Sequence, residues 1–268
     1  MTPSHQDLPR SPIVLLHGAT SSPRVWEPVL PMLTAKHRVF APTLAGHRGG
    51  PPLPAAPTGV VGRLVDNICN QLDEAAIDTA HLVGNSLGGW VALELARRGR
   101  AQSVLALSPA GAWRSPRDLW RLLFLFRAGA ALGRVKDISN LAEHKHVRRI
   151  LLRLMAEHAD RMTATQVAAT FKDIAGCTGL PDILDGARDN GPIQPVRDVG
   201  CRVRIAWGLY DRMLPFMRYG APMLAAVPTA EFKLLPGVGH VPMIDDPALI
   251  ANAILDFVEK TNSQPKFF

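Results

Sequence analysis

Short apolar runs that suit strands buried on both faces alternate with stretches of helical period from Pro12 to Leu107 of this 268-residue chain, and that alternation leaves few folds open. The first run, Pro12-Ile13-Val14-Leu15-Leu16, ends at His17-Gly18. A helix is expected over residues 23–35, with Trp26, Val29, Leu30 and Leu33 at helical spacing, then a strand over 38–41. A helix over 58–76, a strand over 79–83, a helix over 87–98 closed by Gly99, and a strand over 103–107 continue the series. Residues 115–198 then show helical patterns, at 119–132 and 147–158, but no buried strand. Strands return at 203–207 and 231–235, with helices near 215–226 and after Asp246-Pro247, an N-cap followed by proline. The expected fold class is α/β: a mostly parallel open sheet with helices on both faces. Residues 1–114 and 199–268 would form its core and residues 115–198 a helical cap inserted in it.

Composition removes several alternatives. With 47% apolar and 20% charged residues the chain can bury a large core. The densest apolar stretch, 119–132, is interrupted by Arg121 and Arg127 and is too short to span a bilayer. The first eleven residues are polar and lack an apolar segment, so no secretory signal and a cytoplasmic location are expected. Cys69, Cys177 and Cys201 are too few and too far apart for a disulfide framework or a paired metal motif. Thirty basic residues face twenty-three acidic ones, and six of the seven surplus charges fall within residues 114–161. Aromatic residues make up only 6%, and no nucleic-acid motif accompanies the charge, so nucleic acid is not expected as a partner.

Gly84-Asn85-Ser86-Leu87-Gly88 lies directly after an expected strand and directly before an expected helix. Glycines at both ends permit a sharp strand-to-helix turn. That turn holds the serine outward at the amino end of a helix, where free N–H groups favour developing negative charge. A serine hydroxyl needs a base to take its proton, and the base needs a carboxylate to orient it. His240, in the loop after strand 231–235, and Asp211, just beyond strand 203–207, would reach the same carboxyl edge of the sheet as Ser86. Asp245 and Asp246 look like the cap of the last helix, and His17 like a structural turn residue.

These motifs, with Trp207-Gly208-Leu209-Tyr210-Asp211 and Gly239-His240, make the chain resemble the α/β-hydrolase family from about Pro12 to Glu259. The resemblance implies Ser86 as nucleophile, His240 as general base and then acid, and Asp211 as the orienting acid. It also implies an oxyanion hole from the backbone N–H groups of Ala19 and Leu87. Only eleven residues precede the first strand, so a sheet of about six strands is expected. No cofactor and no metal is implied. Serine in place of aspartate at position 86 argues against the dehalogenase and epoxide-hydrolase branches of the family. The absence of tyrosine from residues 115–198 argues further against epoxide opening.

The expected activity is cleavage of a carboxylic ester through an acyl-enzyme. Trp113, Trp120, Phe124 and Phe126 are candidate walls for an apolar acyl or aromatic group of a small-molecule substrate. The arginines of the cap leave an anionic substrate end as an open alternative. The stretch 119–127 is read as a lid helix with its apolar face on the pocket, so contact with a membrane surface is not expected; an interfacial role for it at a lipid surface is the open alternative. A carbon–carbon bond hydrolase of ring-cleavage products, a cofactor-free perhydrolase or acyltransferase, and a ligand-binding receptor of the same fold stay open as alternatives.

Overall fold

The computed structural model describes residues 11–55, 59–134 and 143–263. Six parallel strands form one sheet: β1 (Ile13–Leu16), β2 (Val39–Phe40), β3 (Ala80–Asn85), β4 (Ala101–Leu107), β5 (Arg202–Gly208) and β6 (Glu231–Leu235), in the order β2-β1-β3-β4-β5-β6. Successive side chains leave opposite faces of a strand, and here they enter two different cores. Val14, Leu16, Leu82, Val104, Ala106, Ile205 and Trp207 pack on one side with α2 (Val60–Glu74), α3 (Leu87–Arg97) and α8 (Phe216–Ala226). Ile13, Leu15, Val83, Leu105, Leu107 and Ala206 pack on the other with α1 (Leu30–Thr34), the short α9 (Pro242–Asp245) and α10 (Pro247–Asn262). Burial on both faces explains why β1, β3 and β4 read as continuous apolar runs.

Register brings the strand ends together. Leu16 pairs with Gly84, Asn85 with Leu107, Leu107 with Ala206, and Gly208 with Leu235. The segments that follow β1, β3, β5 and β6 therefore leave from one edge of the sheet. Between β4 and β5 the chain departs from the sheet and forms α4 (Pro116–Gly133), α5 (Lys145–Leu151), α6 (Ala164–Ala175) and α7 (Leu180–Asn190). These helices have small cores of their own, one around Leu152, Val167 and Phe171, another around Leu123, Leu180 and Leu184. A reciprocal cap starts α6: Thr163 Oγ1 accepts from Gln166 N at 3.1 Å, and Gln166 Oε1 accepts from Thr163 N at 2.8 Å. Among the described residues, no helix is long and apolar enough to cross a membrane.

Two expected helices are shorter in the structure. Residues 23–35 divide into a 3₁₀ turn, Pro23–Trp26, and α1, because Pro28 lacks the N–H that a continuous helix needs there. The pattern at 147–158 is helical only to Leu151. Beyond it the N–H groups of Glu157 and His158 turn away to the carboxylate of Asp245. The helix expected over 58–76 begins at Val60 in the structure, and Thr58 lies outside the described residues.

Candidate active site

β3 ends at Asn85, and α3 starts two residues later, at Leu87. The residue between them, Ser86, has φ 55° and ψ −118°, a conformation that normally belongs to glycine. The turn is tight enough that a Cβ on Gly84 would stand 2.2 Å from the carbonyl oxygen of Gly88. A Cβ on Gly88 would stand 2.2 Å from the carbonyl oxygen of Leu16. Both glycines of the pentapeptide are thus needed for backbone to pass backbone. Leu87 is the first residue of α3, so its N–H has no acceptor one turn back in the helix. The facing loop after β1 places Ala19 between Gly18 and Thr20, and Ser21 N closes this turn on Gly18 O at 3.3 Å. Thr20 has φ 58°, uncommon for a β-branched residue.

His240 and Asp211 meet as the sequence led one to expect. His240 Nδ1 lies 2.8 Å from Asp211 Oδ2, and the other oxygen, Oδ1, accepts from Leu214 N at 2.7 Å. Ser86, Asp211 and His240 are all buried. Ser86 and His240 border the same cavity, of about 330 Å³, which Gly18 and Ala19 also line. Binding Nδ1 to a carboxylate leaves Nε2 as the ring nitrogen free to exchange a proton with a group in the cavity.

Two supporting residues escaped the sequence. Asn85 Nδ2 donates to Leu107 O at 3.1 Å and to His240 O at 2.9 Å, tying the histidine's backbone to the elbow. Asp245 is not a helix cap; that role belongs to Asp246, whose Oδ1 accepts from Leu249 N at 2.8 Å. The Asp245 side chain is buried and accepts three backbone N–H groups: Gly239 at 2.6 Å, His158 at 2.6 Å and Glu157 at 3.2 Å. Val241 N donates to Met155 O at 2.8 Å, and Arg212, next to Asp211, pairs with Glu157. The stretch 155–158 is therefore fixed to the loops of both His240 and Asp211. Arg212 and Arg149 hold the Glu157 carboxyl below its usual range.

His17 has a different task. Its Nε2 accepts from Leu44 N at 3.1 Å, so Nδ1 carries the proton that reaches Gly18 O at 2.9 Å. Full burial, with the nearby His47 adding to it, pushes its pKa down to about 3. It is a neutral brace between two loops.

The opposite wall of the cavity comes from the segment between β4 and β5, through Leu125, Phe126, Leu132, Leu152 and Phe171 among others. Among the described residues that line it, His240 alone is titratable. Of the four aromatic residues expected at this wall, only Phe126 lines the cavity. Trp120 and Phe124, one helical turn apart on α4, face outward at 56% and 69% exposure. Trp113 precedes the helix and is half-buried against the core beneath it. Arg148 donates to the carbonyls of Met162 and Glu143, and Arg149 pairs with Glu157; neither reaches the cavity. A larger groove, about 730 Å³, shares Thr20, Ser21 and Met155 with it but includes neither Ser86 nor His240. Among the described residues, no three His, Cys, Asp or Glu side chains gather as metal ligands would.

Similarity to known proteins agrees with this architecture. Residues 13–253 match the model of the alpha/beta hydrolase family. Epoxide hydrolase EphH of Mycobacterium tuberculosis is 32% identical over 204 residues, covering 74% of this chain and 94% of that protein. The pimeloyl-acyl-carrier-protein methyl ester esterase of Aromatoleum aromaticum is 28% identical over 260 residues, covering 93% and 98%. The structure of the 2-hydroxy-6-oxo-6-phenylhexa-2,4-dienoate hydrolase of a Rhodococcus species shares the fold with a TM-score of 0.73 at 21% identity, covering 96% and 92%. With a family model matched from the first strand into the last helix, the chain belongs to the alpha/beta hydrolase family.

Proposed function

We propose that this hydrolase cleaves carboxylic esters of apolar acyl groups through a covalent acyl-enzyme on Ser86. The observation that carries the proposal is a serine held at φ 55° on a strand-to-helix turn, sharing a cavity with a histidine whose Nδ1 is bound by a buried aspartate. In the first step His240 Nε2 takes the Ser86 proton while Oγ forms a bond to the ester carbonyl carbon. The carbonyl oxygen, now negative, is received by the N–H groups of Ala19 and Leu87; one such donor is typically worth about 10²–10³ in rate. Collapse breaks the bond to the leaving oxygen, which takes the proton from His240. Water, deprotonated by the same nitrogen, then releases the acid and restores Ser86. Asp211 keeps the proton on Nδ1 and favours the imidazolium. On this reading residues 115–198 are the cap that closes the site, and residues 1–114 and 199–268 the hydrolytic core.

The EphH likeness raises epoxide opening as a rival. That reaction needs a carboxylate nucleophile or an acid at the ring oxygen, and among the described residues the cavity lining contains no Asp, Glu or Tyr. Tyr219, buried, donates its hydroxyl to Asp118 O instead. The test is one panel: p-nitrophenyl esters of rising acyl length, styrene oxide, and a ring-cleavage dienoate, with wild type and Ser86→Ala, plus labelling by a fluorophosphonate. Ester turnover and labelling that both vanish in Ser86→Ala are expected. Opening of the epoxide by Ser86→Ala, or labelling that persists in it, would refute the proposal.

A further inference from the structure

We propose that the outward face of α4 docks on an anionic membrane surface. Seven residues of this helix are exposed: Pro116, Arg117, Trp120, Phe124, Arg127, Ala128 and Ala131. At 100° per residue they fall on a single face, with Arg134 exposed just beyond its end. None is acidic. Arg117 and Arg134 make no ion pair among the described residues, and Arg127 has only Asp185, 4.0 Å away with both partners half-exposed. A solvent-facing helix surface is ordinarily mixed in charge and free of large aromatics. This one joins a tryptophan and a phenylalanine one turn apart with arginines on either side, the composition of a helix that lies in a lipid interface.

The charges choose among occupants. A second copy docked about a two-fold axis would bring two identical arginine rows together, with no carboxylate from α4 on the face and only Asp185 at its edge to offset them. A lipid headgroup layer, by contrast, offers negative charge to every arginine of the face. Aromatic rings enter the acyl boundary, and guanidinium groups meet the phosphates. Trp120 and Phe124, expected on the pocket wall, face outward, where a lipid surface can reach them.

The position adds a reason for docking. The inward side of the same helix supplies Leu125, Phe126, Gly129 and Ala130 to the cavity, and Ala128, exposed on the outer face, lines it too. Cavity and docking face thus meet along one helix, giving a lipid-soluble substrate a short route to Ser86. This delivery rests on the ester-hydrolase proposal; the docking itself does not.

The test is co-sedimentation of the full chain with phosphatidylcholine vesicles, alone or containing phosphatidylglycerol, at low and physiological ionic strength. Wild type is expected to pellet with the mixed vesicles and stay in solution with phosphatidylcholine alone, releasing as salt rises. Each arginine near an anionic surface contributes about fivefold, so Arg117→Gln with Arg127→Gln should weaken partition about 25-fold. Trp120→Ser with Phe124→Ser should weaken it at least tenfold. Both double variants should keep wild-type ellipticity and turn over a soluble p-nitrophenyl ester at the wild-type rate, so failed hydrolysis and failed docking are read separately. Equal pelleting with both vesicle types, no pelleting, or pelleting unchanged in both variants would overturn the proposal. So would a wild-type dimer in sedimentation velocity that the aromatic pair abolishes, since the face would then belong to a second copy.

Discussion

Replacing Asp245 by asparagine changes one atom in a place with no room for the change. The carboxylate is 1% exposed, and both its oxygens are occupied, Oδ1 by His158 N and Oδ2 by Gly239 N and Glu157 N. An amide has a single oxygen. Its best orientation keeps that oxygen on the two-donor side and turns the NH₂ toward the N–H of His158, 2.6 Å from the present oxygen. One charge-assisted hydrogen bond is lost, about 1.5–3 kcal/mol. The other two fall to neutral strength, roughly half. The expected destabilisation is about 3–5 kcal/mol, or roughly 10 °C in Tm for a chain of this size. Because Gly239 precedes His240, kcat for a p-nitrophenyl ester should fall along with stability. Asp246→Asn is the control: asparagine caps a helix as well as aspartate does, and its effect should stay within about 0.5 kcal/mol. Urea denaturation followed by circular dichroism, with turnover measured on the same samples, checks both. A shift in Asp245→Asn no larger than that of the control would refute the reasoning.

Asp211→Asn should lower kcat by about 10⁴ with the fold retained, because an amide facing Nδ1 puts the ring proton on Nε2, where it cannot accept from Ser86; a stopped assay with circular dichroism decides, and near-wild-type turnover would move the acid elsewhere. An acyl chain ending in a carboxylate should give a kcat/KM at least an order of magnitude below that of an uncharged ester of equal length, since among the described residues no Lys or Arg lines the cavity to offset desolvation; a preference for the anionic ester that fades with salt would instead implicate the arginines of residues 114–161. Stability should decline as pH falls from about 6.5 toward 3, because His17 and His81, with pKa values of about 3 and about 4, and His47, also lowered, stay neutral in the fold while the unfolded chain takes up protons. Each contributes at most about 1.4 kcal/mol per pH unit. His17→Gln, which keeps an acceptor for Leu44 N, should flatten this slope in a urea midpoint series; an unchanged slope would dismiss His17 as a source.

What could be read from the sequence was local in origin. The elbow at Ser86 is written in glycines two residues to either side, and the strand before it and helix after it are contiguous with the motif. Asp211 and His240 were legible because each directly follows a strand, and parallel strands send their ends to one edge. The outward turn of Trp120 and Phe124 was not legible. In α4 the run Leu119, Trp120, Leu122, Leu123, Phe124, Leu125, Phe126 is apolar on every side, so its period does not reveal which face meets the cavity. Asn85 and Asp245 were missed for another reason. Their farthest partners lie 155 residues away, at His240, and 87 and 88 residues away, at His158 and Glu157. Nothing near them in sequence announces such contacts.

The backbone at Ser86 bears on how this chain has been selected. If position 86 answered only to folding, glycine would be the favoured residue, since it adopts φ 55° without the cost of about 1–3 kcal/mol that a side chain brings. Ser86→Gly should therefore raise the urea midpoint above wild type while abolishing turnover, and an inactive variant would be the sturdier protein. Stability and catalysis pull this one residue in opposite directions, so a screen for thermal resistance alone would drift toward loss of the enzyme.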